Sequence, residues 1–340
     1  MMKIVDVLKC LVVTLLFVAG AAAHGAADDG TIVQQKPCFA NPLKTYENYL
    51  ERVQGAYRQE ASAATSEGFR QAPAVAPLDR ETVERRLAYE GFECRSIVYL
   101  SDGLKIAGYL WKPKDVDGKK LPLIVYNRGG NRSFGRLYPW IDFGFYEYLR
   151  QGFVVLASQY RGGADSEGND EYGGADVHDV TNLIPLARSL GYVDMNNVFM
   201  LGWSRGAMMT HLALKSGMKV NAAAVVSGAN DPLVTVTKRR SIAQVWQELS
   251  ANLPEQGDAA LRERSVVYWP EKINAPLLIL HGGADWREDP EKSRELARRL
   301  DELGKANELV IYPGDDHGLS HHKAASEQKI VAWFKQHMKP

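Results

Sequence analysis

The sequence predicts an α/β fold: a mostly parallel central sheet with helices on both faces, and a small helical N-terminal extension. Three observations carry this expectation. Short apolar runs at Leu121–Tyr126, Phe153–Ala157, Asn197–Leu201, Val220–Val226 and Pro276–Leu280 alternate with helical patterns. Strands that are apolar throughout are buried on both faces, as parallel strands are. A Gly-x-Ser-x-Gly pattern, Gly202-Trp203-Ser204-Arg205-Gly206, stands between one such strand and the helical run Ala207–Leu214. An acid and a histidine that would complement that serine follow in order, each just past a later strand.

Taken in order, the chain begins with Lys3 and Lys9, the apolar run Cys10–Ala19 and then Gly20-Ala21-Ala22-Ala23. This reads as a secretory signal over 1–23, cleaved after Ala23. The run is short for a membrane span, and Lys9 stands where a lipoprotein signal needs a small residue before Cys10. The mature protein is therefore expected in a periplasm or outside the cell, without stable membrane association. Cys38 and Cys94 are then the remaining cysteines, and an oxidising compartment favours one disulfide between them. Residues 24–91 form the extension. Asp28–Pro37 reads as a flexible polar start, Tyr46–Ala64 is compatible with a helix, Ala72–Pro77 is a linker, and Asp79 caps a helix over Arg80–Tyr89.

The main domain is expected over 92–340. Cys94–Leu100 and Leu104–Trp111 flank Ser101-Asp102-Gly103, a hairpin signal. Val177–Leu190 reads as one helix kinked at Pro185. Gly228–Pro270 is a longer excursion, expected either to cover the site as a partial lid or to be a crossover helix plus a loop. A formal net charge of +0 over 340 residues gives no sign of a nucleic-acid surface.

A serine at a sharp strand-to-helix turn is held as an exposed nucleophile. It needs a base, and the base needs an orienting carboxylate. Asp285 follows the strand ending at Leu280, and His317 follows the strand Asn307–Tyr312, so Ser204, Asp285 and His317 are the expected catalytic residues. Asp289 precedes Pro290 and reads instead as a helix cap. His281 reads as a packed structural residue. Two N–H donors are needed for the oxyanion: one from Arg205, the other from Gly130 or Asn131 in the loop after Leu121–Tyr126. Arg128, Arg132, Arg205 and Arg287 are expected near the mouth, either binding a substrate carboxylate or carbonyl or paired with Asp165, Glu167 or Asp289. No metal or organic cofactor is implied.

The stretches Gly152–Gly162 (ending Tyr160-Arg161-Gly162), Tyr172–Val180, Arg264–Gly282 and Asp285-Trp286-Arg287 together resemble the catalytic domain of the prolyl oligopeptidase family, an α/β-hydrolase group that includes dipeptidyl and acylaminoacyl peptidases. The resemblance runs from about Cys94 to the C-terminus and implies the same triad. Two departures stand out. About 70 residues separate the signal from the main domain, too few for two propeller blades of roughly 40–45 residues each. The family's His-Gly-Gly oxyanion segment appears as Arg128-Gly129-Gly130. The expected function is an exported serine hydrolase cleaving a peptide, amide or ester bond of a small-molecule or short peptide substrate. A carboxylesterase is the near alternative. A non-catalytic binding protein on the same fold is the alternative from another class.

Overall fold

The computed structural model describes residues 28–38, 43–68, 78–114, 118–138, 142–249 and 257–340. The expected signal segment, 1–23, lies outside the described residues. No helix among those described is long and apolar enough to cross a membrane.

Among the described residues nine strands form one sheet: β1 (Ile32–Pro37), β2 (Phe92–Ser101), β3 (Leu104–Pro113), β4 (Leu121–Asn127), β5 (Val154–Ser158), β6 (Val193–Trp203), β7 (Ala222–Val226), β8 (Leu277–Gly282) and β9 (Asn307–Tyr312), in the order β1-β2-β3-β5-β4-β6-β7-β8-β9. The first three are antiparallel, and β3 meets β5 antiparallel. From β5 to β9 every neighbour is parallel. All residues of β5, β7 and β8 are buried. Alternation sends Leu123 and Val125 of β4 to one core and Ile124 and Tyr126 to the other. The first core is closed by α4 (Asp176–Thr181), α5 (Leu183–Ser189), α6 (Arg205–Lys215) and α10 (Pro290–Glu302). The second is closed by α3 (Asp142–Arg150) and α11 (Lys323–Gln336), where Phe153, Phe199 and Phe334 pack ring on ring.

The structure departs from the sequence reading in two places and adds to it in two more. Asp28–Pro37 is not a loose start, because Ile32–Pro37 pairs with β2 as an edge strand. The helix over 177–190 breaks at Asn182 into α4 and α5. Pro185 has no N–H, and its ring excludes the carbonyl four residues earlier. The extension supplies α1 (Tyr46–Ser66) and α2 (Arg80–Leu87), and both take part in the site described next. The excursion 228–270 holds α7 (Pro232–Lys238), α8 (Arg240–Leu249) and α9 (Asp258–Arg264), and none of its described residues lines the cavity that holds Ser204. Trp246 of α8 is buried edge-on against Tyr172 instead, so the described part of this segment packs as a crossover rather than a lid. Cys38 and Cys94 are joined by a disulfide that ties the start of the extension to β2.

Candidate active site

β6 runs through the middle of the sheet and ends at Trp203, and α6 begins at Arg205. Ser204 makes the turn with φ 56° and ψ −122°, a region that costs a residue with a Cβ about 1–3 kcal/mol. The flanking glycines follow from close approach. A Cβ on Gly202 would strike the Gly206 carbonyl, and one on Gly206 would strike the Asn127 carbonyl. Ser204 N–H donates to Val226 O at 2.9 Å, which fixes the turn to the neighbouring strand. The start of α6 presents N–H groups that have no acceptor within the helix, a favourable place for negative charge.

Past β8 and β9 the chain brings Asp285 and His317 together, with His317 Nδ1 2.8 Å from Asp285 Oδ2. The carboxylate can only accept, so Nδ1 carries the proton and Nε2 is left as the basic nitrogen. Asp285 Oδ1 accepts from the Arg287 and Glu288 N–H groups at 2.8 and 3.1 Å. Burial opposes charge on Asp285. Attraction to the His317 ring and hydrogen bonds from His281 and His317 outweigh it and hold the carboxyl well below the usual carboxylate range. The loop around His317 is built by its neighbours. Asp315 accepts from the N–H groups of Asp316, His321 and His322, and Asp316 accepts from those of Gly318 and Ser320. Asp289 caps α10 by accepting from Glu291 N–H.

His281 is packed and fully buried, and it also joins the site. Its Nε2 donates to the same Asp285 Oδ2 at 2.9 Å. Its Nδ1 must then accept from Ser293 Oγ at 2.7 Å, and Ser293 accepts from Asn230 Nδ2 at 2.8 Å. Sequence reasoning placed His281 as packing alone. The available signal was its position at the end of β8, four residues before Asp285.

Ser204 and His317 line one cavity of about 610 Å³. Gly129 and Gly130 line it too, and a Cβ on Gly129 would sit 3.2 Å from Ser204 Cβ. Asn131, one of the two residues expected to give the second donor, is not among the lining residues. The arginines divide. Arg205 is buried against Asp170 and Asp176 and also donates to Gly130 O at 3.0 Å. It therefore clamps the loop that faces Ser204. Arg128 is 1% exposed and donates to the carbonyls of Gln159, Gly129, Phe134 and Arg132. Arg132 turns to Glu248 at 2.6 Å and does not line the cavity. Arg132 thus forms a surface pair away from the cavity, while Arg128 lines the cavity and also builds the loop. Arg287 lines the cavity beside Trp286. The far wall comes from Tyr49, Val53, Ala56 and Tyr57 of α1, with Leu78 and Arg86. Among the described residues no group of three or more His, Cys, Asp or Glu is arranged to hold a metal ion.

A central parallel sheet carrying a strained serine between strand and helix defines the class: an α/β-hydrolase fold. A model of the prolyl oligopeptidase family matches residues 140–340. The chain belongs to the prolyl oligopeptidase family and is by class a serine peptidase. It is 28% identical over 248 residues to the uncharacterized peptidase YtmA of Bacillus subtilis, covering 72% of this chain and 92% of that one. It is also 28% identical over 262 residues to acylamino-acid-releasing enzyme 1 of Oryza sativa, covering 70% of this chain and 33% of that one. Among solved structures, the Pyrococcus horikoshii acylaminoacyl peptidase aligns with a TM-score of 0.64 at 22% identity, covering 74% of this chain and 42% of that one. A puromycin-hydrolyzing peptidase of Mycobacterium tuberculosis aligns with a TM-score of 0.65 at 20% identity, covering 74% and 40%. The chain spans less than half the length of these two solved peptidases.

Proposed function

We propose that this chain is an exported serine hydrolase that cleaves an acyl bond, by default a peptide or other amide bond, with Ser204 as nucleophile, His317 as base and Asp285 as its orienting acid. The single observation that carries this reading is the 2.8 Å bond from His317 to the buried Asp285, at the rim of a cavity that also holds Ser204. In the reaction His317 takes the Ser204 proton as Oγ attacks the carbonyl, then gives it to the leaving group. Asp285 holds the tautomer and stabilises the imidazolium. The N–H of Arg205 and one from the Gly129-Gly130 segment hold the oxyanion, each worth about 10² to 10³ in rate. Water then releases the acyl group by the reverse steps. Ser204→Ala is expected to lower kcat by about 10⁶ and to abolish labelling by a fluorophosphonate. A loss under about tenfold, or labelling elsewhere, overturns the assignment.

An esterase reading has its own support in the apolar α1 wall, which suits an acyl chain and makes a site bounded by a helix. An amide leaving group depends on protonation by His317 more than an ester's does. Rates on matched anilides and p-nitrophenyl esters therefore separate the two readings.

A further inference from the structure

Among the described residues the cavity is lined by four cationic side chains, Arg86, Arg128, Arg287 and Lys323, and by one carboxylate, Asp316. Asp316 is engaged by the Gly318 and Ser320 N–H groups and by Ser320 Oγ at 2.7 Å. Arg128 is committed to backbone carbonyls. Arg86 and Lys323 share one further carboxylate, Glu327. Arg86 holds it at 2.6 Å with both side chains 2% exposed, while Lys323 Nζ stands 3.7 Å from it. Glu327 is thus already engaged by Arg86 at the shorter distance, and Lys323 Nζ stands farther from it on the cavity wall. The Lys323 ammonium also lies 4.4 Å over the ring of Trp203, the residue before Ser204.

Lys323 is poorly explained by stability. It is the first residue of α11, where the helix dipole disfavours a cation. Burial pushes its ammonium pKa down, and Glu327 only partly offsets this. Cationic side chains beside an apolar wall suit a ligand that is part apolar and part anionic.

We propose that Lys323, backed by the Arg86–Glu327 pair, is a specificity-determining cation that selects substrates carrying a carboxylate a few bonds from the scissile carbonyl, with the apolar remainder against α1. The proposal rests on the hydrolase reading above for what happens next, but the anchoring itself is a binding event. N-succinyl-alanine p-nitroanilide and N-butyryl-alanine p-nitroanilide differ in essentially one carboxylate, and Ser204→Ala protein binds without turning over. Calorimetry on that protein is expected to give at least tenfold tighter binding of the succinyl compound, with the ratio falling as salt is added. In Ser204→Ala/Lys323→Met the ratio is expected to approach one, and in Ser204→Ala/Lys323→Arg to persist. A ratio near one in Ser204→Ala itself, or a ratio unchanged by Lys323→Met while thermal melts show it folded, overturns the proposal. If Lys323→Met melts early, loss of the ratio in Lys323→Gln with retention in Lys323→Arg decides it in favour, and retention in both decides it against. Wild type that cleaves neither compound and escapes fluorophosphonate would sink the hydrolase reading while leaving the binding ratio to judge Lys323.

Discussion

Asp285 shows how much of a site rests on one carboxylate. It accepts from two imidazoles and two backbone N–H groups. Its carboxyl is held below the unfolded value of about 3.9. Between those values the unfolded chain binds the extra proton. The stabilisation is therefore complete above about pH 4 and is lost as pH falls toward the folded pKa. Asp285→Asn is expected to flatten this part of the acid-unfolding curve, read from denaturant midpoints between about pH 2 and 4. The same change puts an amide where only an acceptor serves, so a kcat loss of about 10⁴ is expected by analogy with triad enzymes. Asp285 and His317 were legible as partners because each follows a strand of recognisable pattern. The Asn230–Ser293–His281 chain was not, because three segments distant in sequence meet only after the sheet is assembled.

At the scale of elements, α6 combines a functional start with a costly middle. His211 is fully buried, and among the described residues neither ring nitrogen has a partner. Burial pushes its pKa down to about 3. From about pH 6.5 down to about 3 the unfolded histidine is protonated while the native one stays neutral. Stability then falls with pH by at most about 1.4 kcal/mol per unit. His211→Leu is expected to raise stability by about 1–3 kcal/mol at neutral pH, by removing an unsatisfied buried group. It should also narrow the gap between melting temperatures at pH 5 and pH 7.5. The elbow that α6 follows was legible because Gly202 and Gly206 are demanded by contacts close in sequence or on the adjacent strand. The loop opposite was legible only as a region. The sequence narrows the second donor to Gly130 or Asn131; Gly130 lines the cavity, Asn131 does not, and Gly129 also packs on Ser204, because loop conformation turns on contacts such as Arg205 to Gly130 O.

At the scale of the whole molecule, the extension is part of the working structure. Its strand completes the sheet, and its helices supply the wall facing Ser204. That role is illegible in the sequence because the excursion 228–270 is nearest the site by topology, while α1 reaches the cavity from the other side of the chain. The disulfide closes a segment with a sequence separation of 56 that contains α1 and α2. The Cys38→Ser/Cys94→Ser variant is expected to lose about 2–5 kcal/mol on the chain-entropy view. It should raise KM more than it lowers kcat, because the wall is loosened and the chemistry is not. Equilibrium unfolding and steady-state kinetics check the two halves separately.

The outer border of the sheet has one more consequence. The strand there reads Ile32-Val33-Gln34-Gln35-Lys36-Pro37, with all but its first residue exposed. A lysine and a proline that lacks a donor make a poor template for ribbon growth from one molecule to the next. Concentrated preparations should stay free of cross-chain stacking along this border, and the mostly parallel remainder, sealed under its helices, offers no other start for it on that side.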